Sequence, residues 1–461
     1  MKVTRFAPSP TGTLHIGGVR TALFNYIYAK QNNGKFLIRV EDTDRERSAL
    51  AYEENILKNL ALLGLTPDES PVRQSERTEL YLKAANKIVE EGKGYYCECS
   101  PERLQSLREE QQSKGLKPAY DGKCRDLSLE GGAGRVLRLK TPEEGEIIFH
   151  DLVRGEMVFQ NSELDDLILL RSDQTPTYHL CNVVDDFEQG VTTVIRGEDH
   201  LSNTPRQIHI QNALGYASLE YAHLPLVLGK DKKRLSKRDS ATSLDEYIDL
   251  GYLPSAILNM LARLGWSKGD QEIFYLEDLI KNFRVQEVQK AGAIFDLTKL
   301  NWINGQHLAR FEVGEFTNHL KPYCVANNID LESRENFIDI VSAMRSSSDT
   351  LDAIAKDLHP YFNEVTSYDQ KALDKFVKDT SLLNNLKNKL EDLSSWSEEA
   401  LDAMLEEVQS TLGLSTPQIN QPIRIALTGS TKSPSLGLTL SLFTKEEAIE
   451  RIDALVNYLD Q

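Results

Sequence analysis

The sequence predicts an α/β protein in which a split, doubly wound parallel sheet carries an α+β insertion and is followed by an all-helical C-terminal half. Three observations predict this class. Apolar runs at residues 1–6 and 190–196 each give way to a glycine-rich or charged loop and then to a helical pattern, as at the ligand-binding edge of a parallel sheet. Short alternating runs lie between these two stretches. Beyond about residue 311, apolar residues recur at helical spacing nearly throughout.

The composition indicates a globular chain of several domains. Its 461 residues exceed one ordinary core, so we expect two to four domains, and hydrophobic residues make up 40% of the chain. No apolar run is long enough to cross a bilayer, and no signal-peptide pattern precedes the first strand, so we expect a cytoplasmic protein. The net charge of −17 argues against a nucleic-acid binder unless basic residues cluster locally.

The first strand is expected to end at a loop rich in proline and glycine. Pro8 and Pro10 cannot donate to a sheet ladder, so the strand stops before them. Apolar residues at helical spacing over 19–29 indicate a helix directly after the loop. The connection from a strand to a helix in a parallel sheet of the Rossmann type has this form.

This loop has the features of an anion site. Its glycines are Gly12, Gly17 and Gly18. They allow a phosphate to approach the backbone, while the N-terminus of the following helix presents N–H groups and a positive dipole end. His15 can add a hydrogen bond to phosphate oxygens. The alternative is an ordinary strand–helix turn in which His15 is a polar surface residue.

A second strand is predicted at 35–40, and an acidic and basic cluster follows it at 41–47. Charged groups at the carboxyl end of a parallel strand lie where ligands bind. We therefore expect Glu41 to bind a cationic group. A purely structural alternative is a helix start capped by Thr43 or Asp44, with the helix running through residues 52–63.

Three cysteines cluster in the predicted insertion. Cys97 and Cys99 are one residue apart, and Cys124 follows in a distant turn. They are plausible ligands of a structural zinc ion, for which Asp126 or Tyr120 would supply the fourth ligand. Three reduced cysteines packed side by side remain the alternative. The apolar runs at 147–149 and 167–170 are expected to add strands to a small, separate sheet.

The parallel sheet is expected to resume at 190–196, where its last strand-like residues lead into Gly197 and the charged residues after it. The same edge rule places Arg196 and Asp199 at the ligand crevice. A strand at 223–228 then precedes a run, 229–239, that holds six cationic residues. Such a run is usually a solvated loop or a nucleic-acid patch.

Within this run, Leu235 can anchor the loop while Lys237 and Arg238 reach outward as a mobile clamp on a triphosphate. After residue 243 the chain reads as helical. One apolar stretch, 423–429, is closed by a glycine-rich loop and is expected to interrupt the helical pattern.

Taken together, these stretches resemble the glutamyl-tRNA synthetases, a family of class I aminoacyl-tRNA synthetases. The residues that carry the resemblance are 15–18 (His-Ile-Gly-Gly), 39–44 (Arg-Val-Glu-Asp-Thr-Asp), 176–180 (Pro-Thr-Tyr-His-Leu), 182–186 (Asn-Val-Val-Asp-Asp), 196–200 (Arg-Gly-Glu-Asp-His) and 234–238 (Arg-Leu-Ser-Lys-Arg). The chain departs from the usual signatures at Gly18, where the family has histidine, and at Arg234, where it usually has lysine.

The resemblance implies a two-step reaction in which ATP activates glutamate as an adenylate and the tRNA(Glu) terminal ribose then takes the acyl group. The implied catalytic residues are His15 and Lys237. The implied ATP-binding residues are Gly12, His15, Gly17, Gly18, Asp199, Arg234, Leu235, Ser236, Lys237 and Arg238. The implied glutamate-binding residues are Arg5, Ala7, Ser9, Glu41, Tyr178 and Arg196. Mg²⁺ would accompany ATP, and one zinc ion would occupy the cysteine cluster.

The resemblance also implies a domain order and partners. The implied segments are 1–95 (first half of the nucleotide-binding domain), 96–185 (acceptor-end-binding insertion), 186–228 (second half), 229–310 (signature loop and stem-contact helices) and 311–461 (anticodon-binding helices). The implied partners are tRNA(Glu), L-glutamate and ATP, with no membrane, and we expect a monomer.

Three other functions stay open on the sequence alone. A non-discriminating enzyme would also charge tRNA(Gln) with glutamate. A small-molecule nucleotidyltransferase would use the same histidine loop but has little use for the helical residues beyond 310. A catalytically silent tRNA-binding paralogue would not need to keep His15, Glu41 and Lys237.

Overall fold

The structure is a computed structural model that describes residues 1–43, 48–132, 134–233, 235, 243–377 and 380–460. It contains two compact units. The first comprises Met1–Glu246 and Ile257–Asp296, and the second comprises Tyr247–Ala256 and Leu297–Gln461. No helix among the described residues is both long and apolar enough to cross a bilayer.

The strands fall in the first unit. They are β1 (Val3–Phe6), β2 (Lys35–Val40), β3 (Val72–Arg73), β4 (Gly94–Cys97), β5 (Val136–Leu139), β6 (Glu146–Asp151), β7 (Gly155–Gln160), β8 (Ile168–Leu170), β9 (Thr193–Gly197), β10 (Glu220–Leu224), β11 (Val227–Leu228) and β12 (Ala293–Ile294). The helices before residue 297 are α1 (Ile16–Gln31), α2 (Leu50–Leu62), α3 (Thr78–Glu90), α4 (Pro101–Ser113), α5 (Tyr178–Glu188), α6 (Thr204–Leu214), α7 (Leu244–Asp249), α8 (Pro254–Arg263) and α9 (Leu276–Asn282).

Parallel pairing builds the core of the first unit in two halves, as the sequence predicts. Strands β1, β2 and β3 pair in parallel, and β9 pairs in parallel with β10. The halves adjoin where the N–H of Thr192, just before β9, donates to the carbonyl of Val3 at 2.9 Å. The carboxyl ends of β1 and β9, which carry Arg5 and Arg196, therefore share one edge.

The predicted small sheet forms only in part. Strands β4, β5 and β8 make a three-stranded antiparallel sheet, which accounts for the run at 167–170. The run at 147–149 lies in β6, which pairs with β7 and with β10 and so joins the same sheet as β9. The expected placement of this run in the small, separate sheet is therefore wrong. Alternation of apolar residues identifies a strand but does not reveal its partner.

The helix after β2 does not start where a cap was expected. Helix α2 begins at Leu50 with Ala49 at its N-cap, so Thr43 does not cap it. The other expected cap, Asp44, lies outside the described residues. Helix α1 does follow the glycine loop, and its buried face includes Val19, Leu23 and Ile27.

The second unit is helical. Its remaining helices are α10 (Leu297–Ala309), α11 (Val313–Ala326), α12 (Phe337–Met344), α13 (Leu351–Phe362), α14 (Gln370–Phe376), α15 (Ser381–Glu391), α16 (Glu398–Leu412), α17 (Thr416–Thr428), α18 (Leu436–Ser441) and α19 (Lys445–Leu459). The expected interruption at 423–429 is wrong, because these residues form the last turns of α17. Gly429, with φ of 73°, is the left-handed cap that ends the helix.

Candidate active site

One cavity of about 680 Å³ opens at the shared edge of the two sheet halves. It is lined by the loop after β1, the start of α1, the ends of β9 and β10 and the start of β11. All described residues that the sequence singled out for ATP or glutamate line it, namely Arg5, Ala7, Ser9, Gly12, His15, Gly17, Gly18, Glu41, Tyr178, Arg196, Asp199 and Leu235. The expected candidates therefore lie together around a single space.

The loop end of the cavity is backbone-rich. His15 is the N-cap of α1, and its Nδ1 accepts a hydrogen bond from the N–H of Gly18 at 3.0 Å. A Cβ placed on Gly12 would meet no heavy atom within 4 Å, so open space lies over this part of the loop. The first turn of α1 points its N–H groups and its positive dipole end toward this space, which suits an anion.

The basic run after β11 is described only at its margins. Arg234, Ser236, Lys237 and Arg238 lie outside the described residues. Leu235 and Ser243 both line the cavity. Leu244 donates its N–H to the carbonyl of Leu14 at 2.9 Å, which brings the chain back to the loop before α1.

A buried ion-pair network supports the other end of the cavity. Arg5 donates through Nε to Asp186 at 2.9 Å, and Arg39 donates through Nη1 to the same carboxylate at 2.6 Å. Burial by itself would raise the pKa of Asp186, but the two guanidinium groups lower it to about 2. Asp186 is therefore charged, and it fixes Arg5 at the cavity wall.

Glu41 is almost fully buried beside this network. The Nη2 of Arg39 lies 3.5 Å from its carboxylate, and Asn182 accepts a hydrogen bond from the same Nη2 at 2.7 Å. Burial raises the pKa of Glu41 against the opposing effect of Arg39 and Arg5. A cationic group of a ligand would favour its charged form, which makes Glu41 suited to bind an ammonium.

Arg196 is held by acceptors on three sides. Its Nε donates to Nε2 of His223 at 3.2 Å, its Nη1 to Gln207 at 2.8 Å and its Nη2 to Thr204 at 2.8 Å. No carboxylate is among these acceptors, so the charge of Arg196 is not neutralised by its hydrogen-bond partners. Burial lowers the pKa of Arg196, because it disfavours the charged guanidinium, and an anionic ligand in the cavity would stabilise that charged form.

The aromatic wall of the cavity comes from α5 and the segment after β9. The Tyr178 hydroxyl lies 3.1 Å from Nδ1 of His200. Burial raises the pKa of Tyr178 to about 12 and lowers that of His200 to about 4, so both groups are neutral near pH 7.

Sequence reasoning missed several residues of this site. Asn182 and His200 line the cavity, and Arg39 and Asp186 form the buried ion pairs that hold Arg5 at its wall. The signal for Asn182 was its place one helical turn after Tyr178 on α5. No signal in the sequence pairs Asp186 with Arg5, because 181 residues separate them along the chain.

The cysteine cluster lies in a separate part of the first unit. The Sγ atoms of Cys97, Cys99 and Cys124 lie within 4.8 Å of one another. The hydroxyl of Tyr120 lies 3.3 Å from Sγ of Cys97 and 3.7 Å from Sγ of Cys99. Of the two expected fourth ligands, Tyr120 belongs to the cluster, whereas Asp126 is exposed and does not.

The comparisons agree with this geometry along nearly the whole chain. Residues 2–302 match the family model described as tRNA synthetases class I (E and Q), catalytic domain, and residues 315–456 match an anticodon binding domain. The glutamate–tRNA ligase of Thermodesulfovibrio yellowstonii is 43% identical, with 98% of this chain and 99% of the relative covered. A glutamate–tRNA ligase of Alkalilimnicola ehrlichii is 42% identical, with 99% and 98% covered.

A solved structure shows the same fold. A glutamate tRNA ligase from Elizabethkingia meningosepticum, determined in complex with its amino acid, superposes with a TM-score of 0.88 at 33% identity and 99% coverage of both chains. The family model covers more than half of the chain, and the relatives extend over its full length. The chain belongs to the glutamate–tRNA ligases, within the class I aminoacyl-tRNA synthetases.

Proposed function

We propose that this chain joins L-glutamate to the 3′ end of tRNA(Glu) in the cavity at the sheet edge, with ATP on the loop side and glutamate on the Arg5 and Arg196 side. The observation that carries this assignment is that one cavity gathers a helix N-terminus and two guanidinium groups. In the first step a carboxylate oxygen of glutamate attacks the α-phosphorus of ATP, and pyrophosphate leaves. The tRNA ribose hydroxyl then attacks the glutamyl carbonyl, and AMP leaves.

Two cationic side chains suit an amino acid that carries two carboxylates. Arg5 and Arg196 are buried, and both line the cavity. Glu41 is placed to bind the α-ammonium, while Tyr178 forms part of the pocket wall. Glutamine would bring one carboxylate fewer and would leave a guanidinium without an anionic partner, which disfavours it.

We assign the polyphosphate of ATP to the loop after β1 and to the Arg-Leu-Ser-Lys-Arg segment at 234–238. His15 and the N–H groups of α1 supply hydrogen bonds, and Lys237 supplies a charge for the pentavalent phosphate and the leaving pyrophosphate. No side chain becomes acylated, so catalysis is positioning and charge stabilisation. Mg²⁺ enters with ATP, held mainly by phosphate and water oxygens.

The cysteine cluster fits one structural zinc ion. A tetrahedral site with zinc–sulfur bonds of about 2.3 Å separates neighbouring sulfurs by about 3.8 Å. The Sγ atoms of Cys99 and Cys124 are 3.6 Å apart. Tyr120 would be the fourth ligand, and the guanidinium of Arg138 lies 3.8 Å from its ring centroid, which would stabilise a phenolate. Metal analysis of the purified chain, with Cys124→Ser as comparison, tests for one bound zinc ion.

The remaining assignments concern partners and setting. We assign the inserted segment to the tRNA acceptor end and the helical second unit to the anticodon, with a monomer acting in the cytoplasm.

The match over the full length does not favour a small-molecule nucleotidyltransferase, and the relatives' names do not favour charging of tRNA(Gln). Aminoacylation assays with purified tRNA(Glu) and tRNA(Gln) test the point directly. Glutamate transfer to neither tRNA would overturn the assignment.

A substitution tests the placement of glutamate. Arg196→Ala removes a charge-assisted partner of a carboxylate and should raise the KM for glutamate by roughly 10-fold to 100-fold, while the KM for ATP stays nearly constant. Pyrophosphate exchange with tRNA(Glu) present measures both constants. If only the KM for ATP rises, Arg196 belongs to the other substrate.

A further inference from the structure

A buried chain of hydrogen bonds runs from the inserted segment to Arg196. His223 on β10 stands in parallel register with Arg196 on β9, so the two side chains are neighbours on the same face. Nε2 of His223 accepts from Nε of Arg196 at 3.2 Å, and Nδ1 of His223 lies 2.6 Å from Oδ2 of Asp151. All three side chains are buried.

The partners determine which nitrogen of His223 carries the proton. An arginine can only donate, so Nε2 facing Arg196 must be the acceptor. The proton is therefore on Nδ1, where the carboxylate of Asp151 accepts it. Burial lowers the pKa of His223 against the effect of Asp151, which agrees with a neutral ring beside a charged carboxylate.

Asp151 is itself held firmly in place. It ends β6, and its Oδ1 accepts from the N–H groups of Val153 at 2.9 Å and Arg154 at 2.8 Å. Arg154 also pairs with Glu198, the second residue after Arg196. The β6–β7 hairpin, which belongs to the inserted segment in sequence, thus reaches the wall of the amino-acid pocket in space.

We propose that Asp151 and His223 are positioning residues for glutamate: the Asp151 carboxylate holds His223 in the Nδ1-protonated form, and His223 fixes the rotation of the Arg196 guanidinium. Three of the five N–H donors of Arg196 bind protein acceptors, and one donor on each Nη remains for a ligand. A fixed rotation keeps these two donors aimed at a substrate carboxylate. The inference rests on the proposed function, since it requires Arg196 to bind glutamate.

The sharpest test is Asp151→Asn, which keeps shape and volume. The amide oxygen would keep the backbone bonds of Oδ1, and the amide NH₂ would face Nδ1 of His223. The ring would then carry its proton on Nε2, where it opposes the Nε donor of Arg196, the wrong-tautomer effect. That proton would also compete for the hydroxyl of Thr204, which lies 3.0 Å from Nε2 and accepts from Nη2 of Arg196. We expect the KM for glutamate to rise roughly 10-fold or more, with the KM for ATP unchanged and kcat changed by less than about threefold.

A second pair of variants separates positioning from packing. His223→Gln offers Arg196 a carbonyl acceptor, whereas His223→Leu offers none, so the leucine variant should raise the KM for glutamate further. Because glutamine has no tautomers, Asp151→Asn added to His223→Gln should raise the KM little beyond His223→Gln alone. Glu69→Gln, at an exposed carboxylate that pairs with Lys35 away from the cavity, is the matched control and should leave both KM values unchanged.

The outcomes distinguish the inference from the function beneath it. If Arg196→Ala raises the KM for glutamate and Asp151→Asn does not, the positioning chain is overturned and the proposed function stands. If Arg196→Ala leaves that KM unchanged, the assignment of Arg196 fails. Equal losses of kcat, ATP affinity and thermal stability in Asp151→Asn would show a purely structural role and would also overturn the inference.

Discussion

The two ends of the cavity hold charge by different means. At the end proposed for the amino acid, Arg5 and Arg196 are buried, and protein acceptors fix each guanidinium. At the loop end, His15 is exposed, and the anion-binding groups are backbone N–H groups and a helix dipole. Hydrogen bonds therefore orient the two arginines in the absence of a ligand, whereas the loop end is exposed to solvent.

Under the proposed placement of glutamate and ATP, this difference corresponds to what each substrate demands. An amino acid must be distinguished from close analogues, and buried, oriented charges reject an analogue because they would be left without a partner. A triphosphate enters and reacts, and its β- and γ-phosphates leave as pyrophosphate. The groups that bind the triphosphate must therefore also release the pyrophosphate. We expect substitutions at the buried end to affect stability and glutamate affinity, and those at the open end to affect the rate of activation.

The largest effect is expected at the open end. Lys237→Ala removes the charge proposed to stabilise the leaving pyrophosphate and should lower the activation rate roughly a thousandfold without changing the fold. Pyrophosphate exchange in the presence of tRNA(Glu) measures the rate, and circular dichroism checks the fold. Lys230→Ala, in the same basic run, is the matched control and should stay near the parent rate. An unaffected exchange rate in Lys237→Ala would remove the clamp from the mechanism.

At the buried end, Asp186→Asn should act first on stability. It leaves Arg5 and Arg39 without their shared carboxylate in a buried site, which costs about 3 kcal/mol of the free energy of unfolding. Denaturant unfolding measures the loss. Glu69→Gln breaks an exposed ion pair with Lys35 and should leave the free energy of unfolding nearly unchanged, so similar losses in both variants would contradict the contrast between the two settings.

The same carboxylate predicts a pH dependence of stability. The pKa of Asp186 falls from its ordinary value of 3.8 to about 2 in the folded chain. Its charged form therefore stabilises the fold by roughly 2 kcal/mol above about pH 5, and this contribution is lost as the pH falls toward 2. The stability difference between the parent chain and Asp186→Asn should narrow over that interval. A constant difference from pH 6 to pH 2 would argue against a charged Asp186.

The smallest expected effect tests the backbone character of the loop. Gly12→Ala adds a methyl group that meets no protein atom within 4 Å, so the melting temperature should not change. If the polyphosphate lies over this loop, the methyl group should raise the KM for ATP by roughly threefold to tenfold and leave the KM for glutamate alone. Gly132→Ala, equally open but outside the cavity, is the control.

Local patterns predicted much of the fold and many of the residues around the cavity. Strand β2 has the predicted bounds, 35–40, because an apolar run between turn residues specifies a strand. Arg5 and Arg196 could be placed at one edge because parallel strands end on the same side. The partners of these two arginines could not be placed from the sequence, because neither Asp186 nor His223 differs in sequence pattern from an ordinary buried or surface residue.

The errors have a common physical origin. The run at 147–149 was recognisable as a strand, but β6 pairs with β10 through Asp151 and Tyr221, which are 70 positions apart along the chain. The run at 423–429 is apolar because α17 is buried on several sides, so composition alone did not distinguish a buried helix from an interruption. In both cases tertiary contacts, which local sequence does not encode, decided the outcome.

The cap at the start of α1 has a consequence for the position of the ring proton of His15 at the loop end of the cavity. Because the amide of Gly18 occupies the lone pair of Nδ1, the neutral imidazole of His15 carries its hydrogen on Nε2. The cap thus selects one neutral tautomer for a histidine that lines the cavity. The same three-residue contact that begins the helix therefore also sets which ring nitrogen can act as a donor.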